Sequence, residues 1–179
     1  MIPKNRPNGR KGRILKLRYW VLIFSVAVLA TACMIFYFSA QDGPTSTNTS
    51  EGFVRMLLRL VRPDFDSLSS REKNLLLAAF QAKIRTAAHF TEFALLGVFL
   101  HLLFDSLRFR RKVPLAWLAG TLYACTDEWH QMYVGARGPA WLDVVIDSAG
   151  VLFGVLLVLL FLWLRERNRK KRLDASENG

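Results

Sequence analysis

The chain is short of several things, and each shortage excludes a class of protein. Its two cysteines, Cys33 and Cys125, provide neither zinc-ligand spacing nor a disulfide framework. No His-Glu-x-x-His stretch occurs, so the zinc-protease arrangement is absent. No internal duplication is visible, which counts against the inverted-repeat architecture of many transporters. Acidic residues are scarce: 14 Asp+Glu stand against 25 Lys+Arg, a net charge of +11. With 179 residues there is length for one domain and not for a multidomain enzyme.

In a soluble protein that charge would point to nucleic acid. The hydropathy argues otherwise. Hydrophobic residues make up 52% of the chain, mean hydropathy is +0.20, and the apolar residues fall in long runs. Tyr19–Phe38 is an uncharged run of twenty residues, long enough to cross a hydrocarbon core of about 30 Å as a helix. Weaker spans follow at Thr86–Phe104, Val113–Val134 and Asp143–Leu164, each with ionisable residues near one end. Backbone polarity allows only helices or closed barrels to cross lipid. The expected fold is therefore all-α, a polytopic four-helix transmembrane bundle over 19–164 between basic tails at 1–18 and 165–179. The first run is too long for a signal-peptide core, and apolar residues continue past the lipoprotein-like Leu29-Ala30-Thr31-Ala32-Cys33, so it reads as an uncleaved anchor. Both cysteines fall inside spans, as small hydrophobes.

Positive charge sets the orientation. The tail before Tyr19 holds seven basic residues and no acid, the loop around Arg108–Lys112 holds four, and Arg165–Arg172 holds six. The positive-inside bias places these three segments in the cytoplasm and both termini with them. Together they carry a net +13, while the outer side sums to −2, of which residues 127–147 contribute −3; anionic inner-leaflet lipid is the expected partner, with no need for nucleic acid. Between helices 1 and 2, Phe53, Met56, Leu57, Leu60 and Val61 oppose Arg55, Arg59 and Arg62. This predicts an extracytoplasmic amphipathic helix, lying in the headgroup region or packed as a lid over the bundle. Ser69 and Glu72 have capping-box spacing, predicting a helix start that runs into the second span.

Depth is the informative coordinate. Counted from the cytoplasmic ends at about 1.5 Å per residue, Ser39 and Gln41 lie about 30 to 33 Å in, Glu92 and His89 about 18 and 22 Å. Asp127 and His130 come at about 20 and 24 Å, Asp147 and Asp143 at about 26 and 32 Å. All four helices bring polar residues to the outer third. At 100° per residue, Arg85, His89 and Glu92 form one stripe, Gly120, Ala124, Asp127 and Gln131 a second, and Asp143, Asp147, Gly150 and Gly154 a third. His130 stands about 60° off its stripe. Small residues below the polar ones allow close helix approach.

Charges at membrane depth read first as functional. His89 with Glu92, and Asp127 and Glu128 with His130, form two acid/base groups suited to hydrolysis or group transfer on a polar headgroup. Arg85 and Arg137 would hold an anion such as phosphate. His89 and His130 are expected to share one outward-open pocket. A structural alternative pairs Arg85 or Arg137 with Asp143 or Asp147 as buried ion pairs. A divalent metal on His89, Glu92, His130 and one Asp is a further alternative, weak for lack of zinc-site spacing, and no metal is assigned. A proton or ion relay uses the same residue types. His101, opposite Glu92 near the cytoplasmic end, is expected at the interface without chemistry.

These residues resemble the VanZ-like family of bacterial membrane proteins. The resemblance rests on Phe38-Ser39-x-Gln41, then Lys83-Ile84-Arg85-x-x-x-His89-Phe90-x-Glu92-Phe93, Asp127-Glu128-x-His130-Gln131, Gly135-x-Arg137 and Asp143-x-x-x-Asp147-x-x-Gly150, in order over most of the chain. Pro139-Ala140-Trp141 stands where members often carry a Ser-x-x-Asp approach to the last span. The family implies a multi-pass protein of the bacterial cytoplasmic membrane with an envelope role, and its namesake is associated with low-level teicoplanin resistance. It supplies no reaction and no cofactor. The expected catalytic set is His89, Glu92, Asp127, Glu128 and His130. The expected substrate-binding set is Ser39, Gln41, Arg85, Gln131, Arg137, Asp143 and Asp147, acting on a lipid-linked or cell-wall precursor.

Overall fold

A computed structural model describes residues 8–40, 52, 54–134 and 141–177. Among these residues the secondary structure is helical throughout, with no strand: α1 (Asn8–Ser39), a short α2 (54–61), a 3-10 turn at Phe65–Ser67, α3 (Ser70–Ser106), α4 (Lys112–Val134) and α5 (Trp141–Glu177). The all-α expectation holds. The predicted spans are extended by their flanks: much of the basic amino-terminal tail is helical within α1, and most of the carboxy-terminal tail continues α5.

The start of α3 follows from its sequence. Ser69 is extended, its Oγ accepts from the Glu72 backbone N–H at 3.4 Å, and Glu72 Oε2 accepts from the Ser69 N–H at 3.0 Å. Two otherwise orphaned backbone donors are thereby satisfied. The helix then continues through the second predicted span without a break. Its end is a full Schellman motif. Phe109 N–H reaches Phe104 O at 3.0 Å and Arg108 N–H reaches Asp105 O at 2.9 Å, while Phe109 and Phe104 pack edge to face with centroids 5.3 Å apart. Arg108 adopts the left-handed conformation at φ 60°, where glycine is the usual residue. This turn reverses the chain into α4, and Lys112 pairs with Asp105 across it.

Small residues decide how the long helices meet. A Cβ added to Gly150 would lie 2.5 Å from the Phe90 carbonyl oxygen, and one on Gly154 would collide with the Ala94 carbonyl. Positions 90 and 94 therefore register with 150 and 154 in the same sense, so α3 and α5 run parallel in close backbone contact. Gly97 lies against the Val151 backbone from the opposite side. On α4, Trp117 Nε1 donates to Ser148 Oγ at 3.0 Å and Thr121 Oγ1 bonds the same hydroxyl at 2.8 Å. Gly120 seats the Val151 side chain, and because the turn after α3 reverses the chain while α3 and α5 run parallel, α4 is antiparallel to α5. α1 leans on α3 through buried Ile35, which joins Phe93, Leu96, Leu100, Ala116, Ala124, Val151 and Val155 in the core. It is also tied to α4 by Tyr123 Oη donating to the Ala32 carbonyl at 2.6 Å.

The predicted amphipathic segment packs through different residues than its pattern suggested. Val54 and Leu58, spaced i and i+4, are buried with Phe65 and Leu77 against the first turns of α3, joined by Phe80 and Ile84. Met56, Leu60 and Val61 remain exposed, Leu57 is half-buried, and Phe53 lies outside the described residues. His101 also departs from expectation. It is fully buried, because the α3–α4 turn with Asp105 and Lys112 closes over this end of the bundle.

The outer surface is apolar. Exposed side chains include Leu22, Val26 and Leu29 on α1 and Leu156, Leu160 and Phe161 on α5. A contiguous apolar exterior of this extent belongs in lipid and not in water. Three helices are long and apolar enough to cross a membrane: Leu15–Ser39, Ser70–Ser106 and Trp141–Asp174. α4 is not among them, since Lys112, Asp127, Glu128, His130 and Gln131 dilute its 23 residues.

Candidate functional site

The polar residues gather where the end of α1, the middle of α3, the last turns of α4 and the first turns of α5 reach one level. α1 and α4 each deliver residues from their C-terminal ends. Ser39 Oγ donates to Asp127 Oδ2 at 2.8 Å, and Gln131 Nε2 donates to the same oxygen at 2.8 Å and to Ser39 Oγ at 3.3 Å. Ser39, 88 positions away in sequence, is thus built into the Asp127 environment. Asp127 and Gln131 are one turn apart on the buried stripe of α4, so their mutual hydrogen bond follows from helical periodicity.

The second group comes from the parallel pair. His89 Nδ1 lies 3.8 Å from Asp147 Oδ2, with Asp147 almost fully buried. The cause is the packing just described: Phe90, the neighbour of His89, sits against Gly150, one turn from Asp147. Close approach of the two backbones carries the imidazole to the carboxylate. The two groups adjoin each other. One ligand atom each from His89, Asp127 and Asp147 lie within 4.8 Å of one another. Asp147 also lies within electrostatic reach of Asp143, Glu128 and Glu92. Two oxygens, Asp127 Oδ1 and Asp147 Oδ1, are buried with no hydrogen-bond partner among the described residues.

A narrow cleft opens beside this cluster, lined by Arg85, Thr86, His89, Gln131, Asp143, Ile146 and Asp147, with about 20 Å³ of free space. Thr86 and Ile146 were not foreseen in its wall; each neighbours a predicted residue, Arg85 and Asp147, and carries no signal of its own. Arg85 forms no ion pair with Asp143 or Asp147, so the structural pairing expected of it is not seen; the group facing Asp147 is His89.

His89 and His130 do not line the same cleft. His130 is absent from the cleft wall and packs on the Phe36 ring of α1 at a centroid distance of 4.3 Å, its Nδ1 buried and unpartnered among the described residues. Its 60° offset from the α4 stripe turns it toward α1. Glu92, one turn deeper than His89, and Glu128 are half-buried and likewise do not line the cleft. Gln41 and Arg137 lie outside the described residues. The arrangement can bind a cation through its carboxylates, accept and deliver protons at His89, and present Arg85 to an anion at the mouth.

Fold and site together describe a helical membrane protein with a polar centre buried between its helices. The family model described as VanZ/LLP1 matches residues 24–162, more than half of the chain. The protein belongs to the VanZ-like family. No curated protein and no solved structure matches the chain.

Proposed function

We propose that this is a four-crossing protein of the bacterial cytoplasmic membrane, with both termini in the cytoplasm. In this reading its polar centre opens to the outer leaflet and acts on the anionic headgroup of a lipid-linked or cell-wall precursor. The observation that carries the reading is the meeting of Ser39, His89, Asp127, Gln131 and Asp147, from four helices, at one depth. Interfacial aromatics support the placement. Tyr19, Trp20 and Trp163 mark one end, and Tyr37, Trp129, Tyr133 and Trp141 the other. Along α1 and α5 the two belts stand about 26 to 33 Å apart, the thickness of a hydrocarbon core. α4 crosses in this reading because its polar face is covered by α1, α3 and α5 while Leu118 and Leu122 remain on its exposed side.

Arg85 would hold phosphate at the mouth of the cleft, and His89 would exchange protons with the headgroup. An effect on teicoplanin susceptibility follows from changing the precursor pool that the drug meets outside the membrane. A non-catalytic reading has its own support: the Ser39–Asp127–Gln131 bonds brace α1 against α4 whether or not a substrate binds.

The test replaces Arg85→Gln, His89→Gln and Asp127→Asn in cells and checks each variant for membrane abundance. Teicoplanin susceptibility and lipid-linked precursors in membrane vesicles are then measured. Normal abundance with altered precursor levels in Asp127→Asn supports action on the precursor. Normal abundance with unchanged precursors and unchanged susceptibility in all three removes it. Loss of abundance assigns the charges to structure.

A further inference from the structure

The two orphaned oxygens at the centre of the bundle need an account that a headgroup at the cleft mouth does not supply. Asp127 and Asp147 are each more than nine-tenths buried, and each keeps one carboxylate oxygen without a partner among the described residues. No lysine or arginine among the described residues forms an ion pair with either one. Two carboxylates this close, away from water, repel each other and lose their hydration. A dication offsets both effects at once.

From this geometry we infer that His89, Asp127 and Asp147 form a binding site for a divalent transition-metal cation of the Zn²⁺ or Mn²⁺ type. The three donors come from α3, α4 and α5, and one ligand atom of each lies within 4.8 Å of the others. Bonds to zinc of about 2.0–2.2 Å require the three to draw together by about 1 Å, a change side-chain rotation supplies. One imidazole and two carboxylates suit a borderline dication; the imidazole disfavours Mg²⁺ and Ca²⁺, which take oxygen ligands. Ser39 and Gln131, hydrogen-bonded to Asp127 Oδ2, orient that carboxylate and leave Oδ1 for the metal. Three protein ligands leave a coordination position toward the cleft, where about 20 Å³ of free space accommodates a water molecule.

This set differs from the metal ligands that sequence spacing suggested. His130 is turned onto Phe36, and Glu92 is not in the tripod. The inference does not rest on action on a precursor: with the cation bound His89 is a ligand and gives up the proton-exchange role, and a structural cation bracing three helices would use the same ligands.

The full-length protein, purified in detergent, stripped with chelator and desalted, is titrated calorimetrically with ZnCl₂, MnCl₂ and MgCl₂. One equivalent of Zn²⁺ or Mn²⁺ is expected, with Mg²⁺ much weaker. His89→Gln, Asp127→Asn and Asp147→Asn each weaken binding about tenfold or more, while the double variant Cys33→Ala/Cys125→Ala binds as the wild type does. X-ray absorption on the zinc-loaded wild type reads a nitrogen/oxygen shell without sulfur, and this measurement decides even where an aspartate variant fails to fold. No stoichiometric binding, a sulfur shell, or unchanged affinity in a folded His89→Gln protein overturns the site.

Discussion

Gly154→Ala probes the packing on which the polar centre depends. The added methyl would occupy the space of the Ala94 carbonyl oxygen, a backbone atom that no rotamer change can move aside. α5 must shift or tilt away from α3. Overpacking of this kind costs about 1–3 kcal/mol, offset by the helix preference of alanine over glycine, at most about 1 kcal/mol. With the full offset the net expectation is a loss of up to about 2 kcal/mol in the stability of the assembled bundle. Gly12→Ala is the matched control. Gly12 also lies within a helix, with nothing within 4 Å of the added carbon, so only the favourable preference remains. The two substitutions are chemically identical and should differ in sign. Thermal unfolding of the detergent-solubilised proteins, followed by tryptophan fluorescence, reads both. A Gly154→Ala protein that melts at or above the wild-type temperature would refute the close-packed parallel pairing of α3 with α5.

Two further perturbations test the ends of α3. Arg108→Gly relieves a left-handed backbone at the Schellman position and should stabilise the protein by up to about 1 kcal/mol; a lower melting temperature would show that the arginine side chain contributes more than its conformation costs. Ser69→Ala removes the capping box and should weaken the first turns of α3 by about 1 kcal/mol. Hydrogen exchange should then accelerate in the backbone following position 70 but not around position 97, and uniform protection would count against the cap.

The elements were largely legible in the sequence because their signals are local. The uncharged run of α1, the Ser69–Glu72 cap and the buried stripes of α4 and α5 depend on residues within one or two turns of each other. The segment at 54–61 was harder to read. Its exposed Met56, Leu60 and Val61 look as apolar as the buried Val54 and Leu58, and only the partner surface on α3 distinguishes them. His101 was misread for a similar reason: a helix-face count cannot see the turn that covers it.

The scarcity of acidic residues acquires its meaning at the polar centre. Sequence alone determined the axial coordinate, since a helix advances by a constant rise and each carboxylate or imidazole can be assigned a depth. That sufficed to place Ser39, His89, Asp127 and Asp147 at one end of the bundle. Which of them touch is a question of azimuth and of helix neighbours, and depth carries neither. The tertiary structure decided it through Gly150 and Gly154, which let α5 lie directly on the α3 backbone and bring Asp147 to His89. The same packing left His130, only part of a turn away from the stripe, against a phenylalanine of α1. Periodicity along a chain is set by local backbone geometry; proximity between helices is set by which side chains are small enough to be absent.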